Sequence, residues 1–145
     1  MTLFYVVYVL VPSDKLQRVQ NSAARLVIKF SKCDHVQPLL RSLHWLPVHS
    51  RIKYKISTLC FSTFTNSSPI YIAQLLSIYT PSRHLCSSWD TPTLHIPFIK
   101  TKSFDQRAFS FTGPTQLNLL PYGLRHSESS AFETALKMHL FIFAY

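Results

Sequence analysis

The sequence predicts a mainly α fold: a small helical domain, with one short β-hairpin in the C-terminal third that would shift the class to α+β. Three observations carry this expectation. Apolar residues recur at helical spacing around residues 16–30, 48–63 and 132–143. The 145-residue chain is 47% hydrophobic, which is enough for one core and too apolar for a disordered chain. Only two glycines occur, Gly113 and Gly123, where average usage would place about ten. No glycine-rich loop can therefore bring backbone amides against a phosphate, and P-loop and Rossmann folds are excluded.

Taken in order, residues 1–13 form an apolar N-terminus. The run TLFYVVYVLV (2–11) is rich in β-branched and aromatic residues and reads as a buried strand or a greasy end. It covers only ten positions, about half of what a membrane-spanning helix needs. Pro12, Ser13, Asp14 and Lys15 follow in place of a small-residue cleavage site, which disfavours a signal peptide.

Residues 14–79 form a basic helical segment. Ser13 or Asp14 caps a helix in which Leu16, Val19, Ala23, Leu26, Val27 and Phe30 share the packing face and the cations occupy the neighbouring arc. A short helix is expected over Gln37 to Leu43. Pro47 then opens a longer one, about Val48 to Phe64, where its missing amide proton costs nothing. Val48, Ile52, Ile56, Leu59 and Thr63 form its apolar side. Another short helix is placed between Pro69 and Ser77. Residues 80–103 are rich in Pro, Ser and Thr and read as an irregular loop. Leu94–Ile99, near the end of that loop, and Arg107–Phe111, at the start of the last segment, 104–145, are the candidate hairpin strands, with Pro97 confining the first to an edge. Ser129 or Ser130 caps a final helix with Phe132, Ala135, Leu136, His139, Leu140 and Phe143 on one face.

The net charge is +9, and its placement is uneven. Between residues 15 and 55 lie nine basic residues and one acid, Asp34, so this third of the chain carries +8. Such a concentration attracts polyanions, nucleic acid first and an acidic membrane surface second. The three cysteines, Cys33, Cys60 and Cys86, are odd in number and lack C-x-x-C spacing. Free thiols and an intracellular, reducing compartment are expected.

The residues that carry most reaction chemistry are not grouped. The acids Asp14, Asp34, Asp90, Asp105, Glu128 and Glu133 are scattered singly, whereas metal-dependent polymerase or nuclease work needs converging carboxylates. Cys33, His35, His44 and His49 are zinc-capable but spaced as C-x-H and H-x4-H, which is not a zinc pattern. No nucleophile, base and orienting group stand out together. The expectation is a chain that is not an enzyme and takes no cofactor or metal.

Five segments in order carry a family resemblance: LQRVQNSAARLV (16–27), LRSLHWLPVHSRIKYKI (40–56), SPIYIAQLLSIYTPSRHLCSS (68–88), FDQRAFSFTGPTQLNLLP (104–121) and FETALKMHLF (132–141). Together they resemble the C-terminal region of reverse transcriptases encoded by non-LTR, LINE-type retrotransposons, over about residues 15–143. In that family this region follows the palm, is mainly helical, and comprises the thumb and the segment beyond it. His44, Trp45, Leu46 and Pro47, with Arg107, Ala108 and Phe109, are the signature residues. The palm motif Tyr-x-Asp-Asp and the endonuclease domain are not in this sequence. The resemblance implies a polymerase-derived fragment without polymerase activity.

The chain also departs from the family pattern. Asp105 stands near the place of a usual glycine, Leu117 at that of a tryptophan, and Gln116 where an apolar residue is expected. These changes read as drift in an element copy and lower the packing expected of the C-terminal third. Met1–Val11 has no family counterpart and reads as sequence brought into frame by a new start codon.

Two functions remain. The first is sequence-tolerant, phosphate-driven binding of RNA or DNA through Arg18, Arg25, Lys29, Lys32, Arg51, Lys53 and Lys55; Tyr54 and Trp45 read first as packing residues, Trp45 in the LHWLPV turn between two helices, with stacking on bases as the lesser alternative. The second is a translated element remnant with no evolved function, whose apolar ends, Thr2–Val11 and Leu140–Tyr145, associate with membranes, chaperones or each other.

Overall fold

A computed structural model describes residues 13–31, 35–66, 69–80, 93–100 and 108–145. Among these are seven helices: α1 (Ser13–Ile28), α2 (Val36–Ser42), α3 (Val48–Asn66), α4 (Ile70–Ala73), α5 (Phe109–Asn118), α6 (Tyr122–Arg125) and α7 (Ser129–Ala144). The protein is mainly α, and the described residues form no sheet. Their one β feature is an isolated antiparallel bridge between Ile78 and Leu94. The expected N-terminal strand, Lys32, Cys33, Arg107 and most of the 80–103 loop lie outside the described residues.

The expected hairpin does not form. Phe109–Phe111 begins helix α5, and Leu94 pairs with Ile78 instead. The Gly113-Pro114 dipeptide marks a turn by local preference, yet both residues lie buried within α5. Tertiary packing explains the glycine: a Cβ at Gly113 would stand 3.4 Å from Cys60 Sγ and 3.3 Å from the Phe109 ring. A side chain there would press on its own helix's Phe109 ring first and on Cys60 of α3 next.

The backbone gathers into two compact units. One comprises Met1–Tyr54 and Lys137–Tyr145, the other Lys55–Leu136. In the first, α1 packs on α2. Asp14 in the first turn of α1 and Arg25 in the last complement the helix dipole. Both helices close with the same device. Phe30 N–H donates to Arg25 O (3.0 Å) and Lys29 N–H to Leu26 O (3.4 Å), with Lys29 at φ 58°. Trp45 N–H donates to Leu40 O (2.9 Å) and His44 N–H to Arg41 O (3.1 Å), with His44 at φ 52°. These are Schellman closures, whose left-handed residue is usually glycine. A lysine and a histidine hold that position in this chain.

The packing face of α1 differs from the expected one. Its inward side runs through Gln17, Gln20, Ala24 and Ile28, with Gln20 and Ala24 buried, a rotation of roughly 100° from the apolar stripe. Val19, Leu26, Val27 and Phe30 are instead 67%, 79%, 60% and 51% exposed.

The second unit is built around Phe61 of α3 and Phe132 of α7, whose rings stack 3.8 Å apart at 6°. Leu136, Leu117, Cys60 and Thr63 are buried in the same unit. Here too α3 buries Ser57, Cys60, Phe61 and Thr63, while Val48, Ile52, Ile56 and Leu59 are half-buried. Thr63 buries its hydroxyl by donating to Leu59 O at 2.7 Å. Burial pushes the Cys60 thiol up to about 12. Asn118, at the end of α5, holds residue 94 by both backbone groups: its Nδ2 donates to Leu94 O (2.8 Å) and its Oδ1 accepts from Leu94 N–H (3.0 Å).

Candidate nucleic-acid interface

The cations expected to bind phosphate fall into two helical sets. On α1, Arg18, Arg25 and Lys29 project within an arc of about 40° at 100° per residue. Arg18 and Lys29 are exposed, and Arg25 is half-buried with an interaction of its own. Lys29 stands at the left-handed closure, just past the last helical turn. On α3, Arg51 and Lys55 are exposed one turn apart on one side, while Lys53 projects from a different side and is half-buried. Lys32 lies outside the described residues.

Both aromatics raised as the lesser, base-stacking alternative sit in the packing instead. Tyr54 is half-buried and makes an interaction of its own. Trp45 is half-buried in the turn between α2 and α3, and its carbonyl accepts a hydrogen bond from the Tyr145 hydroxyl. Burial raises the Tyr145 phenol above its ordinary value, favouring its neutral, donating form.

That turn, LHWLPV (43–48), is fastened by side chains on every side. Gln20 Nε2 donates to Leu46 O at 2.8 Å, and Gln17 Oε1 accepts from Val48 N–H at 2.9 Å. Gln17 in turn donates to Asn21 Oδ1 at 2.8 Å. The His44 ring lies 5.6 Å from that of Phe141. Leu46 is buried, and the Pro47 carbonyl accepts the first α3 bond, from Arg51 N–H at 2.9 Å. A turn that buries Leu46 leaves backbone groups that no helix satisfies, and these must find partners. The glutamines supply them, which is why α1 turns a polar face inward. Sequence reasoning missed Gln17, Gln20, Asn118 and Tyr145. The only signal available was that three of them lie inside the quoted motifs, LQRVQNSAARLV and FDQRAFSFTGPTQLNLLP.

Of the other signature residues, Ala108 is the N-cap of α5 and Phe109 its first residue, while Arg107 lies outside the described residues. Among the described residues no three His, Cys, Asp or Glu side chains gather to hold a metal ion, and no helix is long and apolar enough to cross a membrane.

Charge divides between the units as unevenly as it does along the chain. The first holds nine Lys and Arg (Lys15, Arg18, Arg25, Lys29, Lys32, Arg41, Arg51, Lys53, Lys137) against Asp14 and Asp34, a net of +7. The second holds six against four, a net of +2. Compared with known proteins, the chain matches no family model, no curated protein and no solved structure.

Proposed function

We propose that this chain is a non-enzymatic remnant of a non-LTR retrotransposon reverse transcriptase that binds RNA or DNA electrostatically, without reading sequence. The observation that carries the reading is the +7 charge of the first unit, with Lys15, Arg18, Lys29 and Arg51 exposed. Phosphate contacts of this kind fix no base and are salt-dependent. Support for the descent is that two motifs quoted for it meet in space: the glutamines of the first hold the backbone of LHWLPV in the second.

Binding of labelled single-stranded RNA and duplex DNA by the full chain at 50–200 mM salt tests the reading. With about four phosphates engaged, the affinity for RNA should fall with a log–log slope near −3. Binding that ignores salt would refute it, and nucleotide incorporation by the chain would refute its non-enzymatic part. A second reading, a translated remnant that only self-associates or meets chaperones, draws on the exposed Val19, Leu26, Ile142 and Phe143. A monodisperse, sharply melting protein would count against it.

A further inference from the structure

The exposed half of α1 divides into two bands at 100° per residue. Arg18, Ser22 and Lys15, with Lys29 at the helix end, form one; Leu26, Val19 and Val27, with Phe30 just beyond, form the other. Asp14 lies outside both, so no acidic side chain interrupts them. Gln17 and Gln20 anchor the opposite side to the turn at Leu46 and Val48, so this face is presented by a folded unit.

Charge complementarity selects the occupant. A second copy would bring two units of +7 against each other. Nucleic acid offers phosphate to the cations, but its bases stack on aromatic rings, and Val19, Leu26 and Val27, the bulk of the apolar band, are aliphatic. An anionic bilayer surface offers phosphate and carboxylate at the headgroups and hydrocarbon just beneath them, side by side, as the two bands are. We infer that α1 is an interfacial helix that docks the first unit on an anionic lipid surface, with Leu26, Val19 and Val27 below the headgroups and Lys15, Arg18 and Lys29 among them. It lies on the bilayer and does not cross it. The cations are those of the nucleic-acid reading, so lipid and RNA compete for them, but the aliphatic Val19, Leu26 and Val27 serve the lipid.

The test is flotation of the full chain with vesicles of phosphatidylcholine containing 30 mol% phosphatidylserine, beside vesicles of phosphatidylcholine alone. Binding is expected to the former and at least tenfold weaker to the latter. Lys15→Gln and Arg18→Gln should each weaken it about fivefold. Val19→Gln with Leu26→Gln should weaken lipid binding at least tenfold while leaving RNA affinity within twofold. Amide exchange along α1 of the unaltered chain should slow when serine-containing vesicles are added, a readout that needs no variant. Failure to float with either vesicle overturns the inference, as does flotation unchanged by the paired glutamines. So does a dimer that those substitutions dissociate, which would make the face a self-association surface. A fall of several degrees in Tm with the glutamine pair would show the face packed within the chain, and equally overturns it.

Discussion

Replacing Asn118 should uncouple residues 93–95 from α5, and the cost follows from the geometry. The segment has two edges. One meets residues 77–79, through Tyr79 N–H to Thr93 O and His95 N–H to Ser77 O, both 2.8 Å. The other meets the Asn118 amide, which takes the N–H and C=O of Leu94 at 3.0 and 2.8 Å as a neighbouring strand would. Leu94 is 3% exposed, so water does not readily replace the lost partner. Asn118→Ala removes two hydrogen bonds worth about 1 kcal/mol each and orphans two shielded backbone groups, for a total of about 2–4 kcal/mol. Urea unfolding of the full chain, followed by helical circular dichroism, should show the midpoint falling by roughly 1–2 M at an unchanged slope. Asn118→Asp sharpens the test. It keeps an acceptor for Leu94 N–H but sets a carboxylate against Leu94 O, and only the protonated acid restores the donor. The folded state therefore raises that carboxyl's pKa above the usual ~4. Stability of this variant should be highest below that value and fall as pH rises through the raised one, relative to the parent chain. A loss under about 0.5 kcal/mol for the alanine variant, or an aspartate deficit that does not shrink in acid, would refute the bridging role.

Three further outcomes are expected. Lys29→Gly should raise stability by about 0.5–1 kcal/mol, seen as a Tm higher by a few degrees, because glycine takes the φ of 58° without the Cβ penalty; a lower Tm would count against the Schellman closure. Gln20→Ala should cost about 1–3 kcal/mol by urea midpoint, since it orphans the buried Leu46 carbonyl, whereas Arg18→Gln on the exposed side should stay within about 0.5 kcal/mol. Cys60 supplies a pH dependence. Its folded pKa is raised from 9.0 to about 12, so its contribution is complete below pH 9 and is lost from there up to about 12. The parent chain should lose about 1 kcal/mol more than Cys60→Ala between pH 8 and 10, and equal losses would show that the thiol is not shielded.

What could be read from the sequence follows from what hydropathy reports. Helix positions were legible, because caps and prolines act locally: Ser13, Pro47 and Ser129 all stand at or beside the observed starts of α1, α3 and α7. Helix α5 was not legible, because Gly113-Pro114 is a breaker by local preference. The dipeptide is held in a helix that buries Gly113, Pro114 and Leu117, with Cys60, more than fifty residues away in the chain, against the glycine. The face of α1 failed for a related reason. Periodicity counts apolar side chains and is blind to the hydrogen-bond demand of a turn that comes 26 to 31 residues later. With Leu46 O buried and Val48 N–H partly so in the turn between α2 and α3, a helix that brought Val19 and Leu26 inward would leave both without these partners, at about 1–3 kcal/mol for the buried carbonyl. Turning Gln17 and Gln20 inward satisfies them and leaves the apolar stripe outside. The stripe was therefore read correctly as apolar and incorrectly as core, and its exposure is the reason to look for a surface that would receive it.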